Sequence, residues 1–65
     1  MRVTVNGQPY ETGVATLAEL LSELDYDGAV VATALNGEFA PKGKRLETTI
    51  TENDAIEVIA PMKGG

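Results

Sequence analysis

Residues 16–25 read TLAELLSELD, which contains both the start and the buried face of one helix. Thr16 and Glu19 have the spacing of a capping box, in which each side chain accepts a hydrogen bond from the backbone amide of the other residue. Four leucines follow at positions i, i+3, i+4 and i+7: Leu17, Leu20, Leu21 and Leu24. This spacing places them along one side of a helix of about ten residues. The stretch therefore predicts an amphipathic helix that packs on one apolar surface.

The segments on both sides of this helix predict a sheet. Residues 1–5 alternate apolar and polar side chains, as a half-buried strand does. Asn6-Gly7 then predicts a type I′ hairpin turn. Pro9 places the returning strand at a sheet edge, because proline cannot donate a hydrogen bond to a strand ladder. Residues 29–35 are an uninterrupted run of small and β-branched residues, which predicts a central strand covered on both faces.

Shorter elements are predicted in the middle of the chain. Asn36-Gly37 predicts a second turn, and residues 38–40 predict a short strand. Residues 42–45 predict a basic loop. We expect the aromatic side chains of Tyr10 and Phe39 to be buried or half-buried, as aromatic residues usually are.

A final strand and a tail complete the sequence. Residues 55–60 alternate in polarity, which places Ile59 on the outer face of the strand as a candidate partner contact. Pro61 has a fixed φ and no N–H, so it marks the place where the strand ends. We therefore divide the chain into a domain of residues 1–60 and a flexible tail of residues 61–65, in which two glycines leave little to offset the entropy of ordering.

The predicted order of elements is a hairpin, a helix, a strand, two short segments and a last strand. One amphipathic helix that crosses one face of a mixed sheet of four or five strands satisfies this order, with a right-handed crossover to the third strand. The predicted fold class is therefore α+β, a β-grasp (ubiquitin-like) roll.

Composition limits the function. The 65 residues include no histidine and no cysteine, so the commonest general base, the strongest nucleophile and the usual zinc ligands are missing. We expect no catalytic residue, no metal site and no enzymatic activity. Ten acidic and five basic residues give a net charge of −5, which disfavours nucleic acid as a partner. No signal peptide and no membrane-spanning run is recognisable, so we expect a cytoplasmic protein that is monomeric when free.

The last residues are the strongest functional signal. Gly64 and Gly65 have no Cβ atoms, so their backbone can enter a slot too narrow for side chains, with Met62 and Lys63 following into a partner's active site. A terminal carboxylate is ionised at neutral pH. In that active site it could attack ATP to form an acyl adenylate, which a sulfur donor would convert into a thiocarboxylate.

Six motifs in chain order carry a resemblance to a known family. They are Val5-Asn6-Gly7, Thr16-Leu17-Ala18-Glu19-Leu20-Leu21, Ala34-Leu35-Asn36-Gly37-Glu38, Ala40-Pro41-Lys42, Asp54-Ala55-Ile56-Glu57-Val58 and Pro61-Met62-Lys63-Gly64-Gly65. Their order and spacing resemble the ThiS-type sulfur carriers of the ubiquitin-like ThiS/MoaD family, over nearly the whole chain. Two features differ: residues 52–54 read Glu-Asn-Asp where the family often has Asp-Gly-Asp, and no Trp follows Pro41.

The resemblance implies a role in thiamin biosynthesis. In that role Gly65 is adenylated by an E1-like enzyme and converted into a thiocarboxylate, which donates sulfur for the thiazole ring. The implied partners are the E1-like enzyme, a thiazole synthase and a sulfur-donor protein such as a cysteine desulfurase. The chain itself needs no cofactor, since ATP is used by the partner enzyme.

The sequence leaves several alternatives open. One is the small subunit of a molybdopterin synthase or another thiocarboxylate donor. A second is a ubiquitin-like modifier whose tail is joined to lysine side chains. A third is an interaction module in which the tail has no role.

Overall fold

The structure, a computed structural model, describes residues 1–60 and places one α-helix against a five-stranded sheet. The elements in chain order are β1 (Arg2–Val5), β2 (Gln8–Glu11), α1 (Leu17–Glu23), β3 (Ala32–Leu35), β4 (Glu38–Ala40), a 3-10 helix (Lys42–Glu47) and β5 (Ala55–Ile59). The strand order is β2-β1-β5-β3-β4, in which β1 and β5 are parallel and the other neighbours are antiparallel. The predicted β-grasp fold is confirmed.

Helix α1 begins at the predicted capping box. The Glu19 amide donates to Thr16 Oγ1 at 3.2 Å, and Glu19 Oε1 accepts from the amides of Ala15 at 2.9 Å and Thr16 at 3.2 Å. These hydrogen bonds, that from Ala15 first, lower the pKa of Glu19 because they favour the ionised carboxylate. Local sequence alone therefore fixes where this helix starts.

The helix is shorter than the predicted ten residues because its C-terminus closes early. It spans Leu17–Glu23, with Leu24 as the C-cap. Asp25 takes a φ of 69°, and the next amide, that of Tyr26, donates back to the Leu21 carbonyl at 2.8 Å. A left-handed residue followed by such a return bond is a Schellman motif, which ends a helix without a glycine.

The leucine stripe packs on the inner face of the sheet. Leu17 and Leu20 are fully buried, Leu21 is buried and Leu24 is half-buried against the same cluster. The remaining buried apolar residues of this core are Val3, Ala40, Ile50, Ile56 and Val58. The sheet is therefore covered by α1 on one side, as the stripe predicts.

The prediction of a central strand at residues 29–35, covered on both faces, is wrong in the extent of the strand, its exact place in the sheet and its cover, although β3 is an interior strand. Strand β3 begins only at Ala32, and Val30 is 79% exposed. The centre of the sheet is β5, and β3 lies between β5 and β4 with Ala32 exposed on its outer face. Alanine is small enough to be left exposed at little cost, so this apolar run can form a strand whose outer face has no other element packed on it.

The placement of Pro9 in an edge strand is confirmed, since β2 is the first strand of the order.

The predicted basic loop at residues 42–45 is a 3-10 helix, and one of its cations is buried. Arg45 is 9% exposed. Its Nε donates to Thr33 Oγ1 at 3.1 Å and its Nη2 donates to the Val31 carbonyl at 2.7 Å. The Thr33 hydroxyl in turn donates to the Ala40 carbonyl at 2.9 Å. Arg45 thus satisfies polar groups at the end of the β3–β4 ladder, where Pro41 ends strand pairing.

Residues 1–60 contain no helix long and apolar enough to cross a membrane.

Candidate functional site

The predicted reactive residues, Gly65 and Gly64 with Lys63 and Met62, lie outside the described residues. The structure does place the residue from which that segment continues. Ala60 is exposed and follows the last residue of β5. Because β5 is the central strand, the chain leaves the domain from the middle of one sheet end, between the β1–β2 turn and the start of β3.

The outer face of the sheet, opposite α1, carries apolar side chains beside this exit. Ile59 pairs with Ala32 in the register of β5 and β3. Ala34, two residues further along β3, pairs with Phe39 on β4 and with Glu57 on β5. Residues that pair across strands share a face. We call the set Ile59, Ala32, Ala34 and Phe39 the outer patch.

The two large side chains of the outer patch are accessible. Ile59 is 61% exposed, which agrees with its predicted place on the outer face of the last strand, and Phe39 is 72% exposed. The expectation of a buried or half-buried Phe39 is wrong, because the neighbouring Ala40 takes the inward position in β4. Tyr10 is half-buried, as expected. The signal that would have placed Phe39 correctly is the phase of alternation in β4, and a strand of three residues, Glu38–Ala40, is too short to define that phase.

The outer patch can bind a surface, and nothing in its composition equips it for chemistry. Glu57 is the charged residue that the register places beside it. Among residues 1–60, no group of three His, Cys, Asp or Glu side chains is arranged to hold a metal ion. Two surface depressions lie on the helix side, one beside Glu19 and one beside Leu46, and neither is lined by a residue of β5. The arrangement fits docking of the sheet face onto another protein.

Two asparagine side chains hold the ends of β5, and sequence reasoning assigned them only to turns. Asn36 contacts the start of the strand, where its Nδ2 donates to Asp54 Oδ1 at 3.0 Å. This bond, with those from Thr51, lowers the pKa of Asp54, so its contribution to stability is lost as the pH falls through that lowered pKa. Asn6 contacts Val58, near the exit of the chain.

Known proteins are similar to this chain in fold and in sequence. The ThiS family model matches residues 3–65. The crystal structure of the thiamine biosynthesis protein ThiS from Geobacter metallireducens has a TM-score of 0.83 and 38% identity, and the match covers 100% of both chains. The solution structure of a thiamine biosynthesis protein from the same organism has a TM-score of 0.80 and 36% identity, covering 100% of this chain and 88% of that one.

A thiazole synthase from Paramagnetospirillum magneticum (strain ATCC 700264 / AMB-1) is also similar to this chain. It is 30% identical over 66 residues, a match that covers 100% of this chain and 20% of that protein. The chain therefore spans about a fifth of the length of this curated relative.

Proposed function

This chain belongs to the ThiS family, and from that premise we propose that it is a sulfur carrier in thiamin biosynthesis, with the carboxylate of Gly65 as the group that carries sulfur. The proposal depends above all on the position of the outer patch. Ile59 lies in the patch, and the next residue, Ala60, leads into the segment that contains Gly64 and Gly65. A partner that binds the patch therefore holds the domain beside the start of that segment.

The proposed chemistry has two stages, and Gly65 contributes its carboxylate to both. A carboxylate oxygen attacks the α-phosphorus of ATP, pyrophosphate leaves, and an acyl adenylate forms. A persulfide sulfur then attacks the acyl carbon and AMP leaves with the bonding electron pair. The resulting acyl disulfide is reduced by a thiol, which leaves the thiocarboxylate and a disulfide of the donor. An E1-like enzyme would hold ATP, and a cysteine desulfurase would supply the persulfide.

In this scheme the chain is a carrier and the partner is the enzyme. Its domain contributes a docking surface, and its last residues contribute the substrate group. The residues between Ile59 and Gly65 can span at most about 20 Å when extended, which is enough to reach an active site while the domain stays on the partner's surface. Gly64 suits a narrow channel because it has no side chain, and Met62 and Lys63 would occupy the wider entrance.

Thiazole synthase is the sulfur acceptor that the comparisons favour. A protein of that name contains a segment similar to this whole chain. This supports the proposal that a carrier domain of this kind acts together with a thiazole synthase domain. Together with the likeness to thiamine biosynthesis proteins, this favours the thiamin branch over molybdopterin synthesis, protein modification or a general interaction module.

We predict that Ile59→Asp weakens binding to the E1-like enzyme by roughly 10- to 100-fold. The substitution removes an apolar side chain worth about 1.5–3 kcal/mol when buried, and about 1.4 kcal/mol corresponds to a tenfold change in Kd. Ile59 is 61% exposed, so the folded domain should tolerate the change. Isothermal titration calorimetry with the purified E1-like enzyme measures the effect, and circular dichroism checks the fold.

Leu46→Asp is the matched control, since it adds the same negative charge in place of another large, exposed aliphatic side chain that lies outside the outer patch. Leu46 is 76% exposed and lines a depression on the helix side of the domain. Its substitution should leave Kd within about twofold of the wild type. Equal weakening by both variants would mean that net charge, and not the outer patch, governs binding.

A further inference from the structure

Strand β5 loses its neighbour on one side before it ends. On that side it pairs with β1, in the register Thr4 with Ala55 and Val5 with Ile56. The Asn6 amide makes the next bond, to the Ile56 carbonyl at 2.8 Å. The chain then reverses, because Asn6 has a φ of 51° and Gly7 a φ of 82°. No backbone of β1 is left to face Val58.

The side chain of Asn6 takes the place of the missing strand. Its Oδ1 accepts from the Val58 amide at 2.8 Å, and its Nδ2 donates to the Val58 carbonyl at 3.1 Å. One carboxamide thus bonds both the amide and the carbonyl of Val58, the two backbone groups that a neighbouring strand would otherwise bond on this side. As a result β5 is held on both sides as far as Val58, while Ile59 is still paired with Ala32 on the other side.

We propose that Asn6 is a positioning residue for the reactive end of the chain. By holding Val58 it fixes the direction in which the described backbone leaves the sheet at Ala60, and so the point at which the following residues enter a partner docked on the outer patch. This inference rests on the proposed function. Removing the Asn6 side chain leaves Ile59 paired with Ala32, so the outer patch is kept. The backbone at Val58 is then paired on one side only, and an end paired on one side opens more readily. Docking is then kept and the rate of the chemical step falls.

The chain offers a matched control in its second Asn-Gly turn. Asn36 has a φ of 52° and Gly37 a φ of 85°, close to the values at the first turn. The Asn36 side chain also makes two hydrogen bonds, accepting from the Ala55 amide at 2.9 Å and donating to Asp54 Oδ1 at 3.0 Å. These contacts are at the start of β5, at the opposite end of the strand from Ile59 and Ala60. Loss of the Asn36 side chain should therefore loosen one end of β5 as much as loss of the Asn6 side chain does. It should not change the direction in which the backbone leaves the sheet at Ala60.

The test compares Asn6→Gly with Asn36→Gly, because glycine keeps both turns at positive φ while removing the carboxamide. Amide hydrogen exchange should become roughly tenfold faster at Val58 in Asn6→Gly only. In steady-state assays with the E1-like enzyme, pyrophosphate release from MgATP should show kcat lowered roughly tenfold or more, with KM for the carrier within about twofold. Asn36→Gly should keep kcat within about twofold of the wild type. Asn6→Asp, which keeps the acceptor for the Val58 amide, should lie between Asn6→Gly and the wild type.

The inference would be overturned by unchanged exchange at Val58 in Asn6→Gly, or by equal kcat for the two glycine variants. A rise in KM without a fall in kcat would assign Asn6 to docking and would also overturn it. Failure of the wild-type protein to support pyrophosphate release is a separate result, since it would contradict the proposed function itself.

Discussion

Replacing Leu20 by Ala is expected to lower the free energy of unfolding by about 2–5 kcal/mol. Leu20 is 0% exposed and lies in the core between α1 and the sheet, so its truncation leaves a cavity as well as removing buried apolar surface. A domain of this size has a total stability of roughly 3–10 kcal/mol, so the loss is a large share of the whole. Urea denaturation followed by circular dichroism at equilibrium measures the difference.

Leu46→Ala is the control for this substitution. Leu46 is 76% exposed, and its truncation should change the free energy of unfolding by no more than about 0.5 kcal/mol. A Leu20→Ala protein that unfolds at the wild-type urea concentration with the same slope would contradict the packing of α1 on the sheet.

Adding one alanine after Gly65 is expected to abolish adenylation. The carboxyl group of Gly65 would become a peptide carbonyl, and the new carboxylate would lie about 3.5 Å further along the chain. Misplacement by only about 1 Å can lower the rate of a reaction by 10²-fold. Pyrophosphate release in the presence of the E1-like enzyme and MgATP should therefore fall to background, while the amide spectrum of residues 1–60 stays the same.

The extended protein carries its own control. Removal of the extra alanine with a carboxypeptidase should restore activity, which excludes damage to the domain. Gly64→Ala should impair adenylation less completely. Its added methyl group crowds the narrow slot that the backbone enters, but the carboxylate stays at the same position along the chain. An extended protein that still supports thiazole formation, untrimmed, would favour an interaction module in which the tail has no role.

Local signals made much of the fold predictable from the sequence. The capping box at Thr16 and the leucine stripe define α1 because both depend on residues three or four positions apart. Asn6-Gly7 and Asn36-Gly37 predict turns because few residues tolerate positive φ, and both positions have it. The alternation in β5 predicted the exposed Ile59 for a similar reason, since a strand's faces repeat every second residue.

The features that the sequence did not predict have a common cause. Each of them depends on which segments of the chain become neighbours in the fold. Phe39 is exposed because β4 turns Ala40 inward, a phase that three residues do not determine. Arg45 is buried because it reaches polar groups of Thr33 and Val31, which are distant in sequence. The contact of Asn6 with Val58 spans 52 positions. No local pattern contains such pairings.

The most direct measurement of the central claim is the intact mass of the wild-type protein after incubation with the E1-like enzyme, MgATP and a persulfide donor with a thiol reductant. A sulfur carrier should gain the mass difference between one sulfur and one oxygen atom, and fragmentation should place the change on Gly65. The change should depend on ATP and should be reversed when thiazole synthase and its substrates are added. An unchanged mass under conditions in which the enzyme modifies another carrier, or a sulfur atom placed on any other residue, would contradict the account.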